Sequence, residues 1–453
     1  MKKTIGRGVQ ANAVPVLVLV AAGASTAAWG RSLGSIELQS TSYLRSSPDR
    51  FTNGAQYSLQ YEHSTEGRYL QSKARLMLNG FASDSKSLTP ELSDLYLSTS
   101  QKFSNLHTIS VGRKTQSWSR ADDAWALGAW SPRFMWDPLR PTPVGLAGLS
   151  YQYRSRLFEL RVFGSPIVLP ERGVPLRIEE GRLITANPDA AVPLESVSML
   201  NQNLPIRYSI QMPSLESLIS HSSAIAYVRL GDQDGGLWSS VTAGIKPMNV
   251  VDVSAEAGLK LQPQQVIEAR LFPQVVSHRL ATLEAGYQAS GFEGWASLTR
   301  EIPMGVGLSE SRSGAQLGAA TISSFGLQWR GTRSLRLDLG LLSIQEDTVS
   351  RSPSSSQSED EMRIELPSRY RFKQSARVGV QWNAHERLSY GVALVRDFQG
   401  AGNWFTTQAS YSFKNSRWRL GVGADLFSAN SGTGFLSPYQ GNDRFQGRLT
   451  YAF

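Results

Sequence analysis

Hydrophobic and polar residues alternate one by one along most of this chain. In VVDVSAEAGLKLQ, Val251, Val253, Ala255, Ala257, Leu259 and Leu261 share one parity, and Asp252, Ser254, Glu256, Gly258 and Lys260 share the other. Successive side chains of a strand point to opposite faces, so this period of two predicts two-faced β-strands. The same pattern runs through FTTQASYSF, where Phe405, Thr407, Ala409, Tyr411 and Phe413 oppose Thr406, Gln408, Ser410 and Ser412. In RWRLGVGADL, Trp418, Leu420, Val422, Ala424 and Leu426 oppose Arg417, Arg419 and Asp425. In RFKQSARVGVQW, Arg371, Lys373, Ser375 and Arg377 oppose Phe372, Ala376, Val378, Val380 and Trp382.

Soluble sandwiches alternate too, so length and spacing must separate the classes. The alternating segments here run to about 9–13 residues, the span of a tilted strand across a bilayer, whereas soluble strands average about five or six. Aromatic residues gather near segment ends on the apolar face. The connections alternate in length. RSR near 155, DQDGG near 234, GTRS near 333, NAHE near 385 and KNSR near 415 are tight turns, and longer stretches stand between them. DQDGG resembles a calcium-ligating run, but Asp and Gly are also what a tight hairpin turn requires, and the turn is the simpler assignment. Together these features predict an all-β fold: a single transmembrane antiparallel up-and-down barrel of about 20 strands, within a range of about 18–22. The expected strands include 250–261 and 265–272, and the even count places both termini on the side of the tight turns.

Three connections are long. The one near 118–145 holds Trp118, Trp125, Trp130 and Trp136, four of the chain's 11 Trp. Within it, WSPRFMWDPLRPTPVG concentrates aromatic and proline residues. Proline keeps such a segment stiff and out of a sheet interior, and its rings are costly to leave in water. Trp125, Trp130, Arg133, Phe134, Trp136, Asp137 and Arg140 are therefore the residues of a constriction folded into the barrel mouth or, alternatively, of a docking surface for a protein partner. In the first arrangement the rings pack on the wall and Arg133, Asp137 and Arg140 face the opening. The connections near 166–221 and 346–368 are the other two; the last contains the polar, acidic run SRSPSSSQSEDEMR.

The first 28 residues form a separate unit. Lys2, Lys3 and Arg7 precede the apolar AVPVLVLVAAGA, and ASTAA follows with small residues. This is the pattern of a secretory signal peptide, with cleavage after Ala24, Ala27 or Ala28, and residues 29–453 form the barrel. The chain has no Cys, which removes disulfides, thiolate metal sites and lipidation of a leader cysteine.

Charge bears on the lumen. Lys and Arg number 46 against 37 Asp and Glu, a net charge of +9, of which the leader carries three. Charges facing lipid would cost about 2–4 kcal/mol each at mid-bilayer, so the polar face must point inward. Arg371, Lys373, Arg377, Arg417, Arg419, Lys260 and Glu256 are expected to line the pore, with Glu284 and Asp425 among their acidic partners. The basic excess favours anions and does not require a nucleic-acid partner. The five His, at positions 63, 107, 221, 278 and 385, have no metal-ligand spacing, and no nucleophile elbow or phosphate-binding loop occurs. No catalysis, metal or cofactor is expected.

The last ten residues, RFQGRLTYAF, place Phe445, Leu449, Tyr451 and the terminal Phe453 on one face. This ending resembles the C-terminal signature of bacterial outer-membrane β-barrel proteins. The resemblance implies outer-membrane lipid around the barrel and recognition of Phe453, Tyr451 and Leu449 by the barrel-assembly machinery. A porin-like channel for small hydrophilic, preferentially anionic solutes is the function expected. The alternative is a loop-plugged barrel anchoring a surface or periplasmic protein assembly. Deleting Phe453, or Phe453→Asp, should lower the amount of heat-modifiable, folded protein in outer-membrane fractions; normal assembly would refute the assignment.

Overall fold

The computed structural model describes residues 30–44, 53–82, 84–173, 176–185, 187, 195–199, 202–261, 265–304, 313–314, 317–331, 334–347, 369–429 and 434–453. The expected leader and nearly all of the loop expected at 346–368 lie outside these residues.

Eighteen antiparallel strands form one closed sheet. They are β1 (Gly30–Tyr43), β2 (Asn53–Glu66), β3 (Leu70–Phe81), β4 (Asp84–Thr99), β5 (His107–Lys114), β6 (Leu146–Arg154), β7 (Phe158–Ser165), β8 (Ser223–Gly231) and β9 (Gly236–Pro247). The second half is β10 (Ser277–Ala289), β11 (Phe292–Met304), β12 (Ala320–Arg330), β13 (Leu335–Glu346), β14 (Gln374–His385), β15 (Leu388–Asp397), β16 (Gly402–Ser412), β17 (Trp418–Ser428) and β18 (Arg444–Ala452). Each strand pairs with its sequence neighbours, and β1 pairs with β18 from Ser35↔Ala452 to Tyr43↔Arg444. Closure removes every sheet edge, the condition for placing strands in hydrocarbon, where no water can satisfy a free backbone group.

The predicted alternation decides which face meets lipid. On β10, Leu283 is 57% exposed on the outside, while its neighbours Thr282 and Glu284 are each 2% exposed on the inside. Val241, Leu298, Leu341, Val378, Val392, Leu420 and Val422 extend this apolar outer belt around the barrel. Exposed Trp382, Tyr390, Tyr411, Phe413, Trp418 and Phe453 form an aromatic girdle beside the ends of β14–β18, with Trp418 and Tyr451 rings 4.8 Å apart. Such girdles mark the lipid–water boundary. The connections at 67–69, 100–106, 155–157, 232–235, 290–291, 386–387 and 413–417 all lie on this side, with the facing ends of β12 and β13 and both barrel ends. The described parts of the long connections lie opposite, which is the extracellular side of an outer-membrane barrel.

The expected count of about 20 differs by one hairpin from the 18 observed. Segments 250–261 and 265–272 are strands, Asp252–Lys260 and Val266–Gln274, but they are not in the barrel. β9 pairs directly with β10, Gly236↔Gln288 to Pro247↔Ser277, leaving no place between them. The hairpin instead joins a five-stranded side sheet with Gln202–Ile210, Ser196–Met199 and Ser313–Gly314, built from three loops of the extracellular side. One pairing there is parallel, Ile206↔Ile267 to Ile210↔Leu271. Leu183, Leu204, Ile206, Tyr208, Ile267 and Ala269 form its own small core. Period two reports that a strand has two unlike faces, not which solvent either face meets. This hairpin carries the same alternation as the spanning strands, so the alternation by itself does not tell the two apart.

The two kinds of strand separate in a stability measurement. Leu283→Arg, on the belt, should destabilise the lipid-folded barrel by about 2–4 kcal/mol in urea titration. Leu259→Arg, on the side sheet, should stay within about 0.5 kcal/mol of the parent. Equal penalties would place the 252–274 hairpin in lipid.

Candidate functional site

The β5–β6 loop, residues 115–145, runs into the barrel and crosses it. Its first part is the short helix α1, Arg120–Trp125. Ser119 is the N-cap: its side chain accepts from the Asp122 N–H at 3.3 Å. The same hydroxyl donates to Glu284 Oε1 on the inner face of β10 at 2.8 Å, and the Arg120 N–H donates to that oxygen at 2.7 Å. A wall carboxylate therefore sits at the positive end of the helix.

The negative end is served by arginines. Arg377 on β14 donates to the Ala124 carbonyl at 2.7 Å, and Arg371 donates to those of Trp125 at 2.8 Å and Ala126 at 3.3 Å. Arg133, from the loop itself, donates to the Ala126 carbonyl at 2.5 Å. Arg371 also reaches the Pro138 and Leu139 carbonyls at 3.0 and 3.1 Å, so one side chain holds two turns of the loop. Its burial, with Arg133 nearby, brings the guanidinium down to about 9.

Buried carboxylates shape the loop after the helix. Asp122 accepts the N–H groups of Ala129, Trp130 and Ser131 at 2.9, 3.1 and 3.1 Å, folding the chain back over α1. Burial raises the Asp122 carboxyl, against the pull of these N–H groups. The reversal passes through Ala126 at φ 45° and Gly128 at φ 75°. A Cβ on Gly128 would stand 2.4 Å from Arg133 Nε, so both backbone angle and space require glycine there. Arg133 pairs through both arms with Glu171 of the β7–β8 loop, Nε to Oε1 at 2.7 Å and Nη2 to Oε2 at 3.0 Å, with each side chain 5% exposed.

The aromatic residues anchor the loop to the wall. Trp125 Nε1 donates to Ser324 Oγ on β12 at 3.1 Å, Trp130 Nε1 to Thr282 Oγ1 on β10 at 2.9 Å, and Trp136 Nε1 to Gln56 Oε1 on β2 at 3.0 Å. Their rings enter three apolar clusters inside the barrel. Trp125 and Leu139 pack with Ile322, Leu342, Ile344 and Phe372; Trp118 and Trp130 with Phe163, Ile225 and Leu280; Phe134 and Trp136 with Met77 and Phe81. At the far end, Arg140 grips Asp425 on β17 with both arms, one contact being 3.0 Å, and donates to Thr406 on β16 at 2.9 Å. Arg444 on β18 bridges Asp425 at 2.9 Å and Asp137 at 3.3 Å. Burial would raise the Asp137 carboxyl, but Arg444 and Arg140 outweigh it and hold the group below its ordinary value.

The loop thus holds β2, β16 and β17 on one side and β9, β10 and β12 on the other, spanning the lumen. Toward the short turns the inner wall carries charges open to lumen water. Glu62 pairs with Lys73 at 2.9 Å and with Arg75 at 2.7 Å, Arg448 with Glu37 at 3.8 Å, and Arg336 with Asp338 at 3.1 Å. Arg75, Arg448 and Arg336 keep 36%, 36% and 42% of their side chains exposed.

The expected pore-lining set disperses. Arg377 is on the inner face of β14. Arg371 and Lys373 precede that strand rather than lying on it: Arg371 is spent on the loop, and Lys373 pairs with Glu346 at 2.5 Å. Arg417 is in the β16–β17 turn, and Arg419 on β17 donates to Ser412 at 3.3 Å near that turn. Glu256 and Lys260 belong to the side sheet, with Lys260 paired to Glu268 at 2.9 Å, and so are not on a barrel strand. Arg133 and Arg140, expected to face the opening, are consumed by Glu171 and Asp425. Asp122, Glu171 and Arg444 were not anticipated. Their partners lie far along the chain, and only Asp122, within the Trp-rich segment, stood near a local signal.

A closed antiparallel barrel with an apolar belt, an aromatic girdle, short turns on one side and long loops on the other is an outer-membrane β-barrel of porin-like architecture. No protein-family model and no curated protein matches the sequence. Among solved structures, OccAB4 of Acinetobacter baumannii is similar at 11% identity over 94% of this chain and 98% of that one, with a TM-score of 0.49. OccD3 (OpdP) of Pseudomonas aeruginosa is similar at 11% identity over 94% and 91%, TM-score 0.48. A triple mutant of Rhodopseudomonas blastica porin is similar at 10% identity over 94% and 100%, TM-score 0.42.

Breaking a buried ion pair by removing one partner leaves an uncompensated charge. Arg133→Ala should therefore lower stability by about 3–5 kcal/mol in urea unfolding, and the added change Glu171→Gln should recover part of the loss. A loss no greater than that of an exposed arginine would mean the pair does not hold the loop.

Proposed function

We propose that the barrel is a passive channel for small hydrophilic solutes, narrowed by residues 115–145. The observation that carries this reading is the course of the loop: it crosses the lumen and is fastened to opposite walls, while charged side chains below it remain open to water. A constriction supported on all sides, above a wetted vestibule, selects solutes by size and charge and needs no chemistry. The driving force is the concentration gradient.

We further propose a bias toward anions. Basic side chains exceed acidic ones over the chain, and several that stay water-accessible below the loop are arginines. The reading of the Trp-rich loop as a docking surface has less support. Trp118, Trp125, Trp130, Phe134 and Trp136 are all buried inside the barrel, beyond the reach of a partner unless the loop is withdrawn.

Replacing residues 122–141 by a short Gly-Ser bridge should raise single-channel conductance in planar bilayers and speed the uptake of bulky solutes. Unchanged conductance in a folded barrel, with loss of a co-purifying protein, would favour docking. In the parent channel, Arg75→Glu with Arg448→Glu should move the reversal potential in a salt gradient toward cations. A conducting channel with an unmoved potential would place these two side chains off the solute path.

A further inference from the structure

The β7–β8 loop contains a second short helix, α2 (Leu215–Ile219), that the channel reading leaves unused. Ser214 caps it, accepting from the Ser217 N–H at 3.2 Å. At 100° per residue, Leu215, Leu218 and Ile219 fall on one arc, and Glu216, Ser217 and Ser220 on the remainder. None of the helix's residues is fully buried. Leu215 is 71% exposed and the preceding Met212 67%, among the most exposed large apolar side chains in the described chain. Ile167, Leu169 and Ile210 are exposed nearby in sequence and pairing.

The position of α2 says what covers this patch. The Val168 N–H donates to the Ile219 carbonyl at 2.8 Å, so the helix end is pinned just past β7, and β8 begins four residues later with Ser223↔Ser165. The next rung joins Gly164, Ala224 and Ile245, and continues through Arg279 to Ile302. Ile245 and Ile302 are exposed on the outer face, the last apolar level of the belt here, and Arg279 stands exposed between them. An outward guanidinium is tolerated only near the headgroups. The patch on α2 therefore begins where the belt ends, at the height of the outer interface, the level that the outward guanidinium of Arg279 marks.

We propose that α2, with Met212 and the flanking Ile167 and Leu169, is an interfacial foot seated among the lipids of the outer leaflet. An amphipathic segment lying in the membrane plane buries its apolar side at the boundary of headgroups and acyl chains. The foot fixes the side sheet to the barrel rim, because Gln202–Ile210 of that sheet runs directly into it.

The chain has no Cys, so a single introduced thiol reports on one position. Met212→Cys and Leu215→Cys are labelled with an environment-sensitive fluorophore in the folded, heat-modifiable protein and reconstituted into phosphatidylcholine vesicles. Leu283→Cys serves as the mid-belt reference and Lys260→Cys as the side-sheet reference. Lipids carrying a nitroxide near the headgroup should quench positions 212 and 215 several-fold more than position 260, a deep nitroxide should favour 283, and aqueous iodide should quench 260 alone. Iodide quenching at 212 and 215 equal to that at 260 would overturn the proposal. So would protection from both quenchers, which with thiol cross-linking of two chains of the Leu215→Cys variant would assign the patch to a second copy.

Discussion

A six-residue helix in the middle of a barrel has almost no backbone hydrogen bonds of its own. Its first N–H groups and last carbonyls must be met by something else. Here Glu284 meets one end and Arg371, Arg377 and Arg133 the other, so the charged wall completes the secondary structure of the loop. Everything else in the lumen is arranged around that fit. The apolar rings supply the gross free energy: a buried aromatic removes about 150–250 Å² from water, about 4–6 kcal/mol each as an upper bound. The ion pairs add little net stability, because their desolvation offsets their attraction. What they add is position, since a displaced loop would strand several buried charges at once.

The same logic explains why the lumen is divided. Toward the extracellular side, inward positions that would normally be polar are Ile322, Leu342, Ile344, Val395 and Trp404, and the loop covers them. Toward the short turns, where none of the described loop residues reaches, inward positions return to paired charges in water. The wall therefore anticipates the loop: its apolar inner patch would be an exposed hydrophobic surface without it.

Much of this was legible in the sequence. Spanning strands announce themselves by length, alternation and aromatic ends, and the tight turns fall on one side as expected. The Trp- and Pro-rich segment announced a loop that must bury its rings. Two things were not legible. The hairpin at 252–274 has alternation as regular as any in the chain, but its small and charged residues serve a side sheet whose partners come from other loops. The anchors of the constriction are equally non-local. Arg140 and Asp425 are 285 residues apart, and Ser119 and Glu284 are 165 apart, so no local pattern could pair them. Inward arginines were expected to face solute, but Arg371 and Arg133 are bound to backbone carbonyls and a carboxylate.

The contact of Arg140 with Asp425 and Arg444 also sets an order of events. Asp425 is on β17 and Arg444 on β18, the strand whose pairing with β1 closes the wall. The ordering cost of so distant a contact is met only once the intervening chain is in place. The far end of the crossing loop thus has no seat until the cylinder is nearly complete. Arg444 therefore ties two things together: the strand that closes the seam also supplies the last contact of the loop that crosses the axis.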